Sequence, residues 1–225
     1  MKLLLRLCFA FLSFSLVPLY AAEIPADTAL YKKNPNYELQ TELYKIYATK
    51  QANIVMLGNS ITHGVSWQEL LGRTDVVERG IPSDNIEGYL SRLNNVISLK
   101  PKVCFIMGGI NDVYNWIPVE DIFRNYVKVI TQLRSKNIQV VIQSTLFVAS
   151  KYASAENRNI EVEKLNKLLS DYSAKNNIIF IDLNSRLSFH KMLMDSMTYD
   201  GLHLKAPAYR IWGKEVEKAL LKLGI

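Results

Sequence analysis

A chain of 225 residues, 49% hydrophobic and 21% charged, can bury one sizeable core, and its composition excludes collagenous, low-complexity and disordered classes. The formal net charge of +6 comes from Lys and Arg residues scattered among acids, without a basic stripe, so nucleic acid is not an expected partner. Of the two cysteines, Cys8 lies in the leader described next, which leaves Cys104 alone and excludes an intramolecular disulfide in the remaining chain.

Lys2 and Arg6 precede an apolar and small-residue run, Leu7 to Val17, which Pro18 breaks ahead of Ala21 and Ala22. This is the pattern of a secretory signal over residues 1–22. It falls short of the roughly 20 apolar residues that span a bilayer. The expectation is a secreted or periplasmic protein without stable membrane insertion after cleavage, an uncleaved anchor being the alternative. Residues 23–225 then form one domain, with 23–52 as its lead-in and first helix.

In chain order, Leu39, Leu43, Ile46 and Tyr47 recur at helical spacing from Tyr37 to Gln51, predicting an amphipathic helix that covers one edge of the domain. Apolar strands are predicted at Asn53–Leu57, Asp75–Glu78, Lys102–Met107, Gln139–Gln143 and Ile178–Ile181. Between them the pattern predicts a short helix at Trp67–Leu71. A longer one at Asp84–Leu99 would be capped by Ser83, and another at Val119–Ser135 would start after Pro118. A helix at Glu156–Lys175 carries Ile160, Leu165, Leu168, Leu169 and Tyr172, and the last runs from Pro207 to Leu223. Asn184 to Ala206, with Met192, Met194, Met197 and Tyr199, is expected to be irregular. Strands alternating with such helices specify an α/β fold, a flavodoxin-like, doubly wound, five-stranded parallel sheet.

Ligands bind such sheets outside the strands' carboxyl ends. There the first strand is followed by Gly58-Asn59-Ser60, the second by Gly80, the third by Gly109-Ile110-Asn111-Asp112, and the fifth, within the long loop, by Asp200-Gly201-Leu202-His203. This set suits acyl transfer. A serine hydroxyl becomes a nucleophile when an imidazole takes its proton, and a carboxylate fixes that imidazole's tautomer. Asp200 and His203 are three apart, so one turn of backbone sets the carboxylate on Nδ1 and leaves Nε2 for Ser60. The Ser60 and Gly80 backbone N–H groups and the Asn111 amide are candidate oxyanion donors.

These residues resemble the SGNH (GDSL-type) serine hydrolases, whose four blocks centre on a serine, a glycine, a G-x-N-D turn and a D-x-x-H near the C-terminus. They correspond here to Ser60, Gly80, Gly109 to Asp112, and Asp200 with His203, in the family's order from Ile54 to about Trp212. The resemblance implies a three-layer α/β/α sandwich and an ester hydrolase similar to acetylhydrolases and carbohydrate O-acetylesterases. One departure is Asn59 where the family has aspartate, with Ile61 following in place of leucine.

The expected substrate is therefore a small-molecule or glycan ester with a short acyl group. The sequence predicts no extended apolar lid helix of the kind a long-chain lipase uses. Lysophospholipase or thioesterase activity on the same residues is the alternative within the class. A non-catalytic glycan-binding domain and a flavodoxin-like cofactor binder are the alternatives outside it. With three histidines and no clustered ligand spacing, neither a metal nor a cofactor is expected. His63 competes with His203 for the role of base but has no carboxylate nearby in sequence, so it reads as a rim residue. Asp112 reads as pinning its turn through an Asx-type bond, His190 as surface, and Tyr199 as packing. Cys104 reads as a packed thiol, and Trp67 and Trp116 either as exposed aromatics able to stack on a sugar or as packing residues.

Overall fold

In the computed structural model, which describes residues 29–225, five apolar runs form one parallel sheet. The strands are β1 (Ile54–Gly58), β2 (Val76–Gly80), β3 (Val103–Ile106), β4 (Gln139–Gln143) and β5 (Ile179–Ile181), in the order β2-β1-β3-β4-β5. Every residue of β1 and β3 is buried, as near-continuous apolar strands covered on both faces must be. The segment read as a secretory signal lies outside the described residues.

The helices are α1 (Pro35–Ile46), α2 (Ser60–His63), α3 (Trp67–Leu71), α4 (Ile86–Ser91), α5 (Asn94–Ile97), α6 (Ile110–Tyr114), α7 (Val119–Arg134), α8 (Ala155–Lys175), α9 (Asn184–Leu187) and α10 (Ala206–Leu223). Helices α4, α7 and α8 pack in succession, and α3 packs on α10, giving the layers on either side of the sheet. The apolar stripe of α7, Ile122, Tyr126, Val129, Ile130 and Leu133, is buried as its spacing predicts. In α8 Leu165 and Leu169 are buried, but Ile160 is exposed.

Several local expectations are corrected. The helix predicted from Asp84 to Leu99 is two short helices, α4 and α5, because Arg92 at the end of α4 turns its guanidinium into the protein. Its cap is Asn85, whose Oδ1 accepts from the Gly88 N–H at 2.9 Å, while Ser83 sits in a left-handed turn at φ 62°. Helix α1 does cover the β2 edge, but not with the predicted face. Leu39 and Ile46 are 68% and 76% exposed, whereas Tyr44 is buried and its hydroxyl donates to the Gly80 carbonyl at 2.8 Å. That bond satisfies an edge-strand acceptor that an aliphatic side chain cannot. The stretch expected to be irregular contains α9, a small hairpin of β6 (Ser188–Phe189) and β7 (Met192–Leu193), and a bridge between Thr198 and Leu204.

Candidate active site

The parallel register brings the strand ends together. Gly58 aligns with Gly80 across β1 and β2, and Leu57 aligns with Ile106 across β1 and β3. Beyond β1 the chain turns at once into α2. Asn59 caps that helix, its Oδ1 accepting from the Ile61 N–H at 3.0 Å and its carbonyl from the His63 N–H at 2.9 Å. Ser60 is thus the first residue of a helix, where the N–H has no intrahelical acceptor. An amide at position 59 performs this capping without a charge, since the bond needs only an acceptor oxygen.

His203 Nε2 lies 3.0 Å from Ser60 Oγ, and His203 Nδ1 lies 2.6 Å from Asp200 Oδ2. With Nδ1–H given to the carboxylate, Nε2 is left as the acceptor for the serine hydroxyl. The other Asp200 oxygen accepts from the Leu202 N–H at 2.9 Å and the His203 N–H at 2.7 Å. Partial burial pushes the Asp200 carboxyl up, but the His203 ring and these two amides outweigh it and hold the group at about 2. It is therefore ionised across the neutral range.

Thr198, which sequence reasoning missed, anchors this turn from inside. Its hydroxyl donates to the His203 carbonyl at 2.6 Å and accepts from the Gly201 N–H at 2.9 Å. The only prior signal was a hydroxyl two residues before the aspartate. Tyr199 is 63% exposed and its ring stacks on His203 with planes 15° apart, so it is a wall beside the imidazole and not a packing residue. Tyr209 of α10 donates its hydroxyl to the Ile61 carbonyl at 2.7 Å, fastening α2 to the C-terminal helix.

The candidate oxyanion donors are already partly engaged. Asn111 Nδ2 donates one hydrogen to the Asp84 carbonyl at 2.7 Å, which fixes the amide and leaves its second hydrogen for another acceptor. Gly80 has a single N–H, and the Glu78 carboxylate accepts it. Glu78 Oε1 also lies 3.6 Å from His63 Nδ1, and its bonding raises the His63 pKa above the ordinary value. His63 thus has a carboxylate after all, from the neighbouring strand, but the imidazole bonded to Ser60 Oγ is that of His203.

Gly109 opens α6 at φ 102°, a left-handed conformation that favours glycine, and a side chain there would meet Leu165 Cδ2 at 2.6 Å. Asp112 does not pin its own turn as expected. It is buried, and both carboxylate oxygens accept from the Ile86 N–H, at 3.1 and 3.2 Å, joining α6 to the start of α4. Burial pushes this carboxyl up to about 7. Trp67 is buried edge-to-face on Trp212, which removes it as a stacking surface, whereas Trp116 is 71% exposed. Among the described residues no group of three or more His, Cys, Asp or Glu side chains is arranged to hold a metal ion.

Comparison with known proteins follows the same outline. The model of the GDSL-like lipase/acylhydrolase family matches residues 56–211. A GDSL-like lipase from Bacteroides thetaiotaomicron has a similar structure, with a TM-score of 0.74 at 23% identity over 84% of this chain and 98% of that one. An acetyl xylan esterase has a TM-score of 0.64 at 22% identity, over 74% and 98% of the two chains. In sequence the chain is 26% identical over 182 residues to an N-acylneuraminate cytidylyltransferase from Streptococcus agalactiae. That match takes in 81% of this chain but 42% of the relative, so the chain spans about two fifths of the curated protein it matches.

Proposed function

The chain belongs to the GDSL-like lipase/acylhydrolase family, a family of ester hydrolases, and from that premise we propose that it is a serine esterase removing short acyl groups, chiefly acetyl, from carbohydrates. The observation that carries this reading is the hydrogen-bonded series from Asp200 through His203 to Ser60, at 2.6 and 3.0 Å.

In the proposed mechanism Ser60 Oγ attacks the ester carbonyl as His203 Nε2 takes its proton. The carbonyl oxygen becomes an oxyanion, for which the Ser60 N–H and the free hydrogen of the Asn111 amide are the donors, and the Gly80 N–H joins them when the Glu78 carboxylate turns away from it. One such donor is typically worth about 3–4 kcal/mol in the transition state. Asp200 holds the imidazolium. Collapse of the tetrahedral adduct breaks the ester C–O bond, and His203 gives its proton to the departing alkoxide. Water, deprotonated by the same imidazole, then attacks the acyl-enzyme and releases the acid and Ser60.

The substrate class has separate support. A cavity of about 510 Å³ opens past His63 and Glu78, and its polar lining of Thr49, Ser66 and Gln68 is compatible with a hydroxylated leaving group, although Ser60 and His203 do not line it. Tyr199 and Trp116 offer exposed aromatic faces. The likeness to an acetyl xylan esterase and to part of a cytidylyltransferase of an acylated sugar points the same way. We also propose export through residues 1–22, on the basic start and apolar run. Among the described residues no helix is long and apolar enough to cross a membrane.

Hydrolysis of nitrophenyl esters of increasing acyl length, with fluorophosphonate labelling, tests the reading. Wild type should favour acetate and take the label at Ser60, and Ser60→Ala should do neither. His203→Ala should lose activity while His63→Ala keeps most of it, and the reverse would reassign the base. Rates that rise with acyl length would favour the lysophospholipase or thioesterase alternative.

A further inference from the structure

We infer that Arg92 is a positioning residue whose one buried guanidinium sets the nucleophile's strand and the oxyanion donors in register. Its side chain is 1% exposed and that of its partner Asp84 is fully buried. Arg92 Nε donates to Asp84 Oδ2 at 2.7 Å, Nη1 to the Arg79 carbonyl at 3.0 Å and Nη2 to the Gly58 carbonyl at 3.0 Å. Each acceptor belongs to a residue that is within two residues of, or bonded to, a group the proposed reaction uses. Gly58 is two residues before Ser60, Arg79 directly precedes Gly80, and the Asp84 carbonyl holds the Asn111 amide at 2.7 Å.

The guanidinium is planar, with its N–H directions fixed relative to one another, so satisfying three acceptors at once sets the angles between the elements that carry them. A lysine ammonium at the same position has the charge but not the fork. The chain also breaks its helix at Arg92, between α4 and α5, to bring this group inside. Stability alone is a poor reason to bury such a pair, since apolar residues of similar volume often serve as well or better. The catalytic importance of the arrangement rests on the esterase reading. The arrangement itself does not.

The test uses the full chain with Arg92→Lys, and Asp84→Asn as the second variant if the first fails to fold. Active sites are titrated with a fluorophosphonate so that rates are per competent molecule. On nitrophenyl acetate the expected result is kcat lower by about 10- to 100-fold, in the range of losing a donor, with KM within about twofold. In parallel, the Ser60 and Gly80 backbone amide resonances and the Asn111 side-chain amide resonances should shift in the variant's NMR spectrum, while those of α10 residues hold. A merely structural arginine predicts fewer titratable sites with unchanged kcat per site, and that result overturns the proposal. Should wild type hydrolyse no ester, the esterase reading fails by itself and the spectra decide. Shifted resonances then support the positioning role, and unshifted ones overturn it.

Discussion

Asp112→Asn isolates the cost of keeping a carboxyl inside the site's scaffold. Asp112 is buried with no ion-pair partner among the described residues, and burial moves it from 3.8 to about 7. Well below pH 3.8 both the folded and unfolded states hold the proton. Between about 4 and 7 the unfolded chain has released it and the folded protein has not, so stability falls as pH rises through that window. From these two values, the penalty grows by about 3 kcal/mol between pH 4.5 and 7.5. Asparagine keeps an oxygen for the Ile86 N–H and cannot ionise. In urea unfolding at intervals across this range, the stability of Asp112→Asn minus that of wild type should therefore climb by about that amount, since the pH dependence of other groups largely cancels in the difference. A difference that stays flat refutes the argument, and would mean that Asp112 is ionised in the folded protein.

Five further outcomes are expected. Gly58→Ala sets a Cβ 1.9 Å from Thr62 Oγ1 and should cost about 3 kcal/mol in urea unfolding, with Thr62→Ala recovering part of it. Thr198→Val removes both bonds inside the Asp200–His203 turn, and kcat on nitrophenyl acetate should fall about tenfold with little change in KM. Glu78→Gln should bring the His63 pKa down toward its ordinary value in an NMR titration, because the Glu78 contact is what raises it. Glu78→Ala frees the Gly80 N–H, and kcat should rise a few-fold in the same ester assay. Asn59→Ala removes the cap on α2 and should lower stability by about 1 kcal/mol in urea unfolding.

Where one physical signal dominated, the residues announced the structure. The strands are continuous apolar runs in a sheet covered on both faces, and their ends fall within about two residues of the pattern. Ser60, Asp200 and His203 were legible because each follows a strand or sits in a spacing that only one turn of backbone has to satisfy. Periodicity around α1 revealed a helix but not its buried face, because the choice was made by one hydroxyl finding the Gly80 carbonyl. The same holds for Glu78 on the Gly80 N–H and for Arg92. Their partners are backbone groups distant in sequence or hidden by alternation along a strand, and such bonds leave no periodic trace. Asn111 was legible as a candidate donor, but the Asp84 carbonyl that holds its amide was not.

The aromatic pair under α2 makes the enzyme its own optical probe. Trp67 donates its indole N–H to the Thr62 carbonyl at 2.8 Å, within the helix that begins at Ser60, and packs edge-to-face on Trp212. The third tryptophan, Trp116, is 71% exposed. With Trp116 replaced by phenylalanine, the remaining emission comes from two buried indoles, one of them bonded to the turn that carries Ser60. Intrinsic fluorescence then follows loosening of that turn in real time, without a label, an added cofactor or a chromogenic ester.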